Sequence, residues 1–144
     1  MNTNEKEIIK HLRHGKRVNI SQIARELGMP ITTVADRIRK IERNHITKRS
    51  SLLDYSSIGY NSNHMIAIKV KSGSKDVLLQ MLMKNNCVNS VYRINSDYHF
   101  LVEVVFRSHL DFINWLESIK SASQVDMTSF QILKTEEREK FMPE

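Results

Sequence analysis

The hydrophobic residues of this chain follow two different periods, and the change between them falls near residue 60. Before that point, apolar positions recur at steps of three and four residues, which is the period of helices with one buried face. After it, stretches of alternating apolar and polar residues occur between helical stretches, and alternation is typical of half-buried strands. The pattern predicts a helical domain over residues 1–60 and a mixed α and β domain over residues 61–144.

Three helices are predicted in the first domain. The first is capped by Asn4, runs to about residue 14 and is stopped by Gly15. The second is capped by Ser21 and ends at Gly28, and the third begins at Pro30 and runs to about residue 43. The residues expected to be buried are Ile8, Ile9 and Leu12 in the first helix, Ile23, Ala24 and Leu27 in the second, and Val34, Ile38 and Ile41 in the third.

The second and third of these helices are joined by a short turn that contains glycine, which is the geometry of a motif that enters a DNA major groove. The face of the third helix that is not buried carries hydroxyl groups, one carboxylate and four cations. A solvated basic face on an ordinary helix is the competing interpretation. The candidate DNA-contacting residues are Thr32, Thr33, Asp36, Arg37, Arg39, Lys40 and Arg43.

Two further details of this surface can be predicted. Asp36 either accepts a hydrogen bond from a cytosine amino group or holds Arg39 or Lys40 in place. In residues 46–53, β-type residues flank Lys48 and Arg49, which predicts a short two-stranded wing. The wing would place both cations against the DNA backbone beside the groove.

The second domain is predicted to contain strands over residues 65–70, 88–94, 100–106 and 127–133. One helix, ending near residue 85, separates the first two strands, and a second helix separates the last two. This order is the split βαβ, or ferredoxin-like, arrangement, with both helices on one face of the sheet. The second helix is marked by Leu110, Ile113, Leu116 and Ile119.

The sheet face without helices is also expected to be apolar, with Met65, Ala67, Leu101 and Val105 or their alternates on it, because several strands are apolar on both sides. An exposed apolar face implies a partner surface, and the simplest partner is a second copy of the chain. The fold class is therefore predicted to be α+β, with an N-terminal winged helix-turn-helix domain, a C-terminal ferredoxin-like βαββαβ domain and a homodimer formed through the latter.

Charge is distributed unequally between the two predicted domains. Residues 1–60 hold 12 Lys+Arg against 6 Asp+Glu (+6), and residues 61–144 hold 10 against 10 (zero), so the first domain carries the whole net charge of +6. A basic domain attracts phosphates, which favours double-stranded DNA as its partner. The N-terminus is polar and the single cysteine, Cys87, is expected to have a packing role, so the chain is predicted to be soluble and cytoplasmic, with no membrane partner, metal or cofactor.

Several motifs of this chain are those of one protein family. The segments Ile23-Ala24-Arg25-Glu26-Leu27-Gly28, Thr33-Val34, Arg37-Ile38, Ile41-Glu42, Leu53-Asp54 and Ile58-Gly59-Tyr60 carry the likeness. On these residues the chain resembles the leucine-responsive/AsnC (Lrp/AsnC) family of feast-or-famine transcription regulators over nearly its whole length. The resemblance implies a non-enzymatic promoter-binding protein that forms dimers or assemblies such as tetramers and octamers.

The resemblance also implies an amino-acid effector held between subunits, near the hairpin that precedes the third strand of the second domain. In this chain the corresponding residues are Asn95, Ser96, Asp97, Tyr98 and His99. Ser96 stands where the family usually has glycine, and His99 stands where it usually has aspartate. A serine lacks the tolerance of glycine for positive φ, so the loop or its ligand is expected to differ.

Two alternatives to a sequence-specific regulator remain open. An architectural protein would coat DNA without sequence preference and would bind with a steep salt dependence. An enzyme similar to tetrapyrrole decarboxylases, some of which share this two-domain architecture, would use histidine and arginine side chains of the second domain. The candidates for such a site are His64, Arg93, His99 and Arg107, and their spacing defines no site.

Overall fold

The computed structural model describes residues 1–14 and 17–144, which form two compact units. The first unit contains residues 1–52 and 137–144, and the second contains residues 53–136. These units differ from the predicted domains in the connecting segment 53–60 and in the last eight residues, which belong to the first unit. Gly15, the predicted end of the first helix, lies outside the described residues.

The described part of the first unit contains three helices, α1 (Thr3–Arg13), α2 (Ile20–Glu26) and α3 (Ile31–His45). The predicted caps Asn4 and Ser21 are wrong, because an asparagine two residues earlier caps each helix. The side chain of Asn2 accepts from the backbone N–H of Glu5, and that of Asn19 accepts from Gln22. The three helices bury Ile8, Ile23, Ala24, Val34, Ile38 and Ile41 in one core, as their spacing predicts.

The two-stranded wing predicted over residues 46–53 is not formed. In the described chain, residues 46–55 contain no strand and lead as irregular backbone to a short 3-10 helix, Ser56–Ile58. Ile46 packs on the core of the first unit, whereas Leu52 and Leu53 are both more than half exposed. A two-stranded ribbon without such packing is only marginally stable in water.

The second unit has the predicted ferredoxin-like fold. Its sheet has the order β2-β3-β1-β4, and every neighbouring pair is antiparallel. The unit's elements are β1 (Ser62–Ser72), α4 (Lys75–Met83), β2 (Val88–Arg93), β3 (Phe100–Phe106), α5 (His109–Ala122) and β4 (Gln124–Gln131).

The core of the second unit lies between its two helices and one face of the sheet. In β1 and β3, the core side chains alternate with those of the opposite face, as strand geometry requires. In α5, Leu110 is 68% exposed and Ile113 is 39% exposed, while Phe112 and Trp115 are buried instead. Of the residues that mark this helix in the sequence, Ile119 is buried and Leu116 packs on the core, and the aromatic rings of Phe112 and Trp115 take the other core positions.

Both ends of β4 differ from prediction. Strand β4 begins at Gln124, three residues before the predicted start, because β1 extends to Ser72 and offers it a partner that far. It ends at Gln131, and Leu133 beyond it is 88% exposed. The sheet face opposite the helices carries the predicted apolar residues, and the strand register adds Tyr92 and Phe130 to that face, each more than half exposed.

Candidate nucleic-acid interface

The turn between α2 and α3 is closed by a glycine in the left-handed conformation. Gly28 has φ +62°, and its N–H donates to the carbonyl oxygen of Arg25. The next residue, Met29, donates to the carbonyl oxygen of Ala24 at 2.9 Å. These two bonds form a Schellman motif, which ends α2 sharply and turns the chain into α3. The predicted helix-turn-helix therefore rests on a specific backbone conformation.

The helix α3 has one buried side and one exposed side. Val34, Ile38 and Ile41 face the core, and Pro30 precedes the first turn without a side-chain capping bond. On the remaining faces, Thr33 and Arg37 are half-buried. The exposed residues of the predicted site are Thr32, Asp36, Arg39, Lys40 and Arg43. The structure thus brings the predicted residues of α3 together on one side of one helix.

Asp36 holds an arginine of the same helix. Its Oδ1 lies 2.8 Å from Nη1 of Arg39, one helical turn further on. This is the second of the two roles predicted for Asp36, with Arg39 as its partner. Among the described residues, Lys40 and Arg43 make no ion pair. The pKa of Glu5 in α1 is lowered chiefly by a backbone hydrogen bond from Asn2, and the positive charge of Lys40 lowers it further.

Arg37 is placed differently from the other cations of α3. Its Nη1 atom is buried and has no hydrogen-bond partner in the part of the chain that the structure describes. A buried donor without an acceptor is unfavourable, and the guanidinium can present its other N–H groups to a base edge or a phosphate. Arg37 is therefore a candidate for direct contact with an acceptor supplied from outside the unit.

The segment after α3 lies beside the helix although it forms no wing. Arg49 is ion-paired with Glu42 of α3, and Lys48 is exposed without an ion-pair partner in the described chain. Sequence reasoning missed Glu42, since a pair seven residues apart across a helix end has no periodic signal. Its position in the Ile41-Glu42 motif gave no indication of this contact.

The predicted effector hairpin is tied to β1 at its end. The Val70 N–H donates to Nδ1 of His99 at 2.9 Å, and the His99 N–H donates to the Ile68 carbonyl oxygen at 2.8 Å. Partial burial, followed by the charges of Lys75 and Lys69, lowers the pKa of His99, so its imidazole is an acceptor at neutral pH. Tyr98 is also engaged, with its hydroxyl 2.8 Å from Oγ1 of Thr128.

The four side chains considered for an enzyme site have separate partners. The His64 imidazole is buried, stacks on Phe112 and lies 2.9 Å from the Ser62 hydroxyl through Nε2. The other three do not share these contacts: Arg93 pairs with Asp76, His99 accepts from Val70, and Arg107 lies over the ring of Tyr60.

Other features of the second unit have structural explanations. The Cys87 thiol donates to Oδ1 of Asn85 at 2.9 Å and packs on the core, and burial raises its pKa to about 11. Gly59 has φ +85° and ends the short 3-10 helix, and Oδ1 of Asp54 accepts from the Ser57 N–H of that helix. Within the described residues, no cluster of His, Cys, Asp and Glu side chains could hold a metal ion, and none of the helices is long and apolar enough to cross a bilayer.

Comparisons with known proteins agree with this architecture. Residues 1–46 match the family model described as winged helix-turn-helix DNA-binding. The chain is 28% identical to the HTH-type transcriptional regulator FL11 of Pyrococcus horikoshii over 141 residues. This alignment covers 96% of this chain and 93% of that protein. The fold is similar to that of the feast or famine regulatory protein of Mycobacterium tuberculosis complexed with L-methionine (TM-score 0.90, 19% identity, 99% of both chains). It is similar also to Escherichia coli AsnC (TM-score 0.86, 19% identity, 99% of both chains).

The fold is that of a two-domain helix-turn-helix architecture, and its first 46 residues match a winged helix-turn-helix DNA-binding model. Within that class, its fold is that of the Lrp/AsnC transcription regulators. The resemblance that the sequence motifs indicate is thereby confirmed.

Proposed function

We propose that this protein is a sequence-specific, DNA-binding transcription regulator of the Lrp/AsnC type. The observation that carries the proposal is α3, which follows a Schellman turn and exposes hydroxyl and cationic side chains opposite its buried side. Arginine side chains on such a helix read guanine, and lysine side chains chiefly contact phosphates. The proposed DNA-contacting residues are those predicted on α3 together with Lys48 and Arg49. The proposal also places the protein in the cytoplasm, without enzymatic activity and without a cofactor.

The proposed protein is a homodimer through the sheet face that lacks helices. Tyr92 and Phe130 are exposed there beside Leu101 and Met65, to which the strand register pairs them. An apolar face of this kind supports a twofold interface between identical sheets. Sedimentation at rising protein concentration tests this part, and a chain that stays monomeric at all concentrations would contradict it.

The proposed effector is an amino acid or a related small molecule bound near residues 95–99. The M. tuberculosis relative, which is complexed with L-methionine, supports this class of ligand. In this chain the side chains of Ser96, Tyr98 and His99 already make hydrogen bonds within the unit, so Asn95 and Asp97 are the hairpin residues whose side chains are proposed to contact the ligand first. Calorimetric titration of the full chain with the individual amino acids tests this proposal.

The proposed function is tested by a salt series. The full chain is titrated onto its own upstream region and onto a shuffled duplex of equal composition. A preference of about a hundredfold or more at physiological salt is expected for a sequence-specific regulator. Equal and salt-steep binding to both duplexes would support an architectural protein instead, and binding to neither would favour an activity located in the second unit.

A further inference from the structure

We propose that Asp36 and Glu42 are specificity-determining residues, which act by withholding two arginines from the phosphates of non-target DNA. The inference rests on the proposed function and concerns how the same surface rejects wrong sequences. Each of these acids lies on α3 and forms an ion pair with one of the predicted DNA-contacting arginines. Neither pair has a role in the core of the first unit, because all four side chains are substantially exposed.

The first pair lies on the side of α3 that faces away from the core. Asp36 and Arg39 are 73% and 70% exposed, and the contact of 2.8 Å spans one helical turn. At about 100° per residue, Asp36 lies nearly opposite the middle of the buried stripe. A DNA phosphate approaching this side would meet a neutral pair rather than an unpaired guanidinium.

The second pair joins α3 to the segment that follows it. Arg49 lies beyond the end of the helix, and its guanidinium is ion-paired with Glu42. Since residues 46–55 of the described chain form no strand, no ladder of backbone hydrogen bonds fixes the position of Arg49. The Glu42 carboxylate is therefore the group that positions this cation beside the recognition helix.

These pairs change the charge that the surface offers to DNA. Lys40, Arg43 and Lys48 make no ion pair in the described chain, so they attract any duplex. Non-specific affinity depends on how many phosphates are neutralised, and each paired arginine lowers that number. Exposed ion pairs are weak, so an arginine can still exchange its carboxylate for a well-placed guanine edge. The two acids therefore weaken binding to random DNA more than binding to the target. An interaction that opposes the wrong partner in this way increases specificity.

The test compares three charge-removing variants of the full chain, Asp36→Asn, Glu42→Gln and the control Glu7→Gln. Glu7 forms a matched pair on α1, with 2.8 Å between its Oε1 and Nζ of Lys10 three residues later. Binding is measured on the upstream region and on its shuffled duplex at a series of salt concentrations. Thermal unfolding confirms that each variant folds, which is expected because all three acids are at the surface.

The expected result is a steeper salt dependence on the shuffled duplex for Asp36→Asn and Glu42→Gln. One additional phosphate contact increases the log–log slope by about 0.9, which is about 3.5-fold in affinity across a fourfold change in salt. The ratio of target to shuffled affinity should fall by about threefold in each variant, while Glu7→Gln should leave slope and ratio unchanged.

Any of three results would overturn the inference. If both variants behave like Glu7→Gln, or tighten binding to both duplexes equally, the acids do not determine specificity although the regulator itself stands. If the unmodified chain binds neither duplex, both the inference and the proposed function are wrong.

Discussion

The two units of this protein differ in core and in charge. The first unit holds 14 Lys+Arg against 8 Asp+Glu (+6), and the second holds 8 against 8 (zero). Among the residues that the structure describes, the buried cluster of the first contains six residues, and that of the second contains twelve. A small core with a polar, charged surface is suited to contact with a polyanion, whereas a large core with an apolar sheet face is suited to assembly. We therefore expect DNA contact to depend mainly on the first unit and assembly mainly on the second.

The largest expected effect concerns the core of the second unit. Phe100 is fully buried, and the substitution Phe100→Ala should cost about 3–5 kcal/mol in the free energy of unfolding. Trp115 is the only tryptophan and lies in the same core, so its fluorescence reports the unfolding of this unit. Urea unfolding followed by that signal should show the loss, and an unchanged midpoint would contradict the described core.

The matching change in the first unit is Ile41→Ala. Ile41 is fully buried on α3, and its truncation should cost about 2–5 kcal/mol and abolish DNA binding, because the smaller core cannot absorb the loss. Far-UV circular dichroism should lose helical signal while the Trp115 transition stays in place. Loss of both signals together would show that the units do not unfold separately.

A third comparison separates base contacts from phosphate contacts within the first unit. The substitution Arg37→Ala should cost about 1–3 kcal/mol on the target duplex and less on shuffled DNA, because a guanine-reading contact is lost. Lys48→Ala should weaken both duplexes alike and reduce the salt slope by about 0.9. If Arg37→Ala lowers the affinity for every DNA sequence equally, Arg37 does not contact a base.

The turn before α3 gives a smaller effect with a purely backbone origin. An added Cβ at Gly28 would meet no atom within 4 Å, but φ there is +62°. The substitution Gly28→Ala should therefore cost about 1–2 kcal/mol in the stability of the first unit. The control Gly28→Asn should cost less, since asparagine tolerates the left-handed region. Helical circular dichroism during thermal unfolding measures both.

The smallest effect is a pH dependence confined to the second unit. Burial, followed by the nearby His109, lowers the pKa of His64 below its usual value. The unfolded state therefore binds the proton more tightly, and stability falls as pH falls through the normal histidine pKa of about 6.5. The urea midpoint of the Trp115 signal should be lower at pH 5.5 than at pH 7.5. In His64→Asn the part of this difference due to His64 should vanish.

Much of this fold can be predicted from the sequence, because each helix of the first unit and each strand centre of the second has a clear period. The failures have local causes. Asn2 and Asn19 compete with equally suitable caps two residues later, and the broad apolar stripe of α5 does not reveal that Phe112 faces the core. The wing does not form because β propensity in residues 46–53 is not matched by burial of Leu52 and Leu53.

The predicted DNA-facing residues of α3 lie on one side because helical geometry fixes them once the buried stripe is known. Their electrostatic state could be predicted only in part. The Asp36–Arg39 pair follows from a spacing of three residues, whereas the Glu42–Arg49 pair depends on the path of the chain after the helix. The burial of Nη1 of Arg37 likewise depends on tertiary packing, which periodicity does not describe.

The most direct test of sequence-specific binding by α3 is a selection from a library of random duplexes with the full chain, followed by sequencing. A twofold regulator should enrich duplexes with two related half-sites separated by about 10 base pairs or a multiple of it. The enrichment should disappear in Ile41→Ala and persist in Glu7→Gln. A pool that stays random, while the protein still binds DNA with a steep salt dependence, would contradict the proposed regulator.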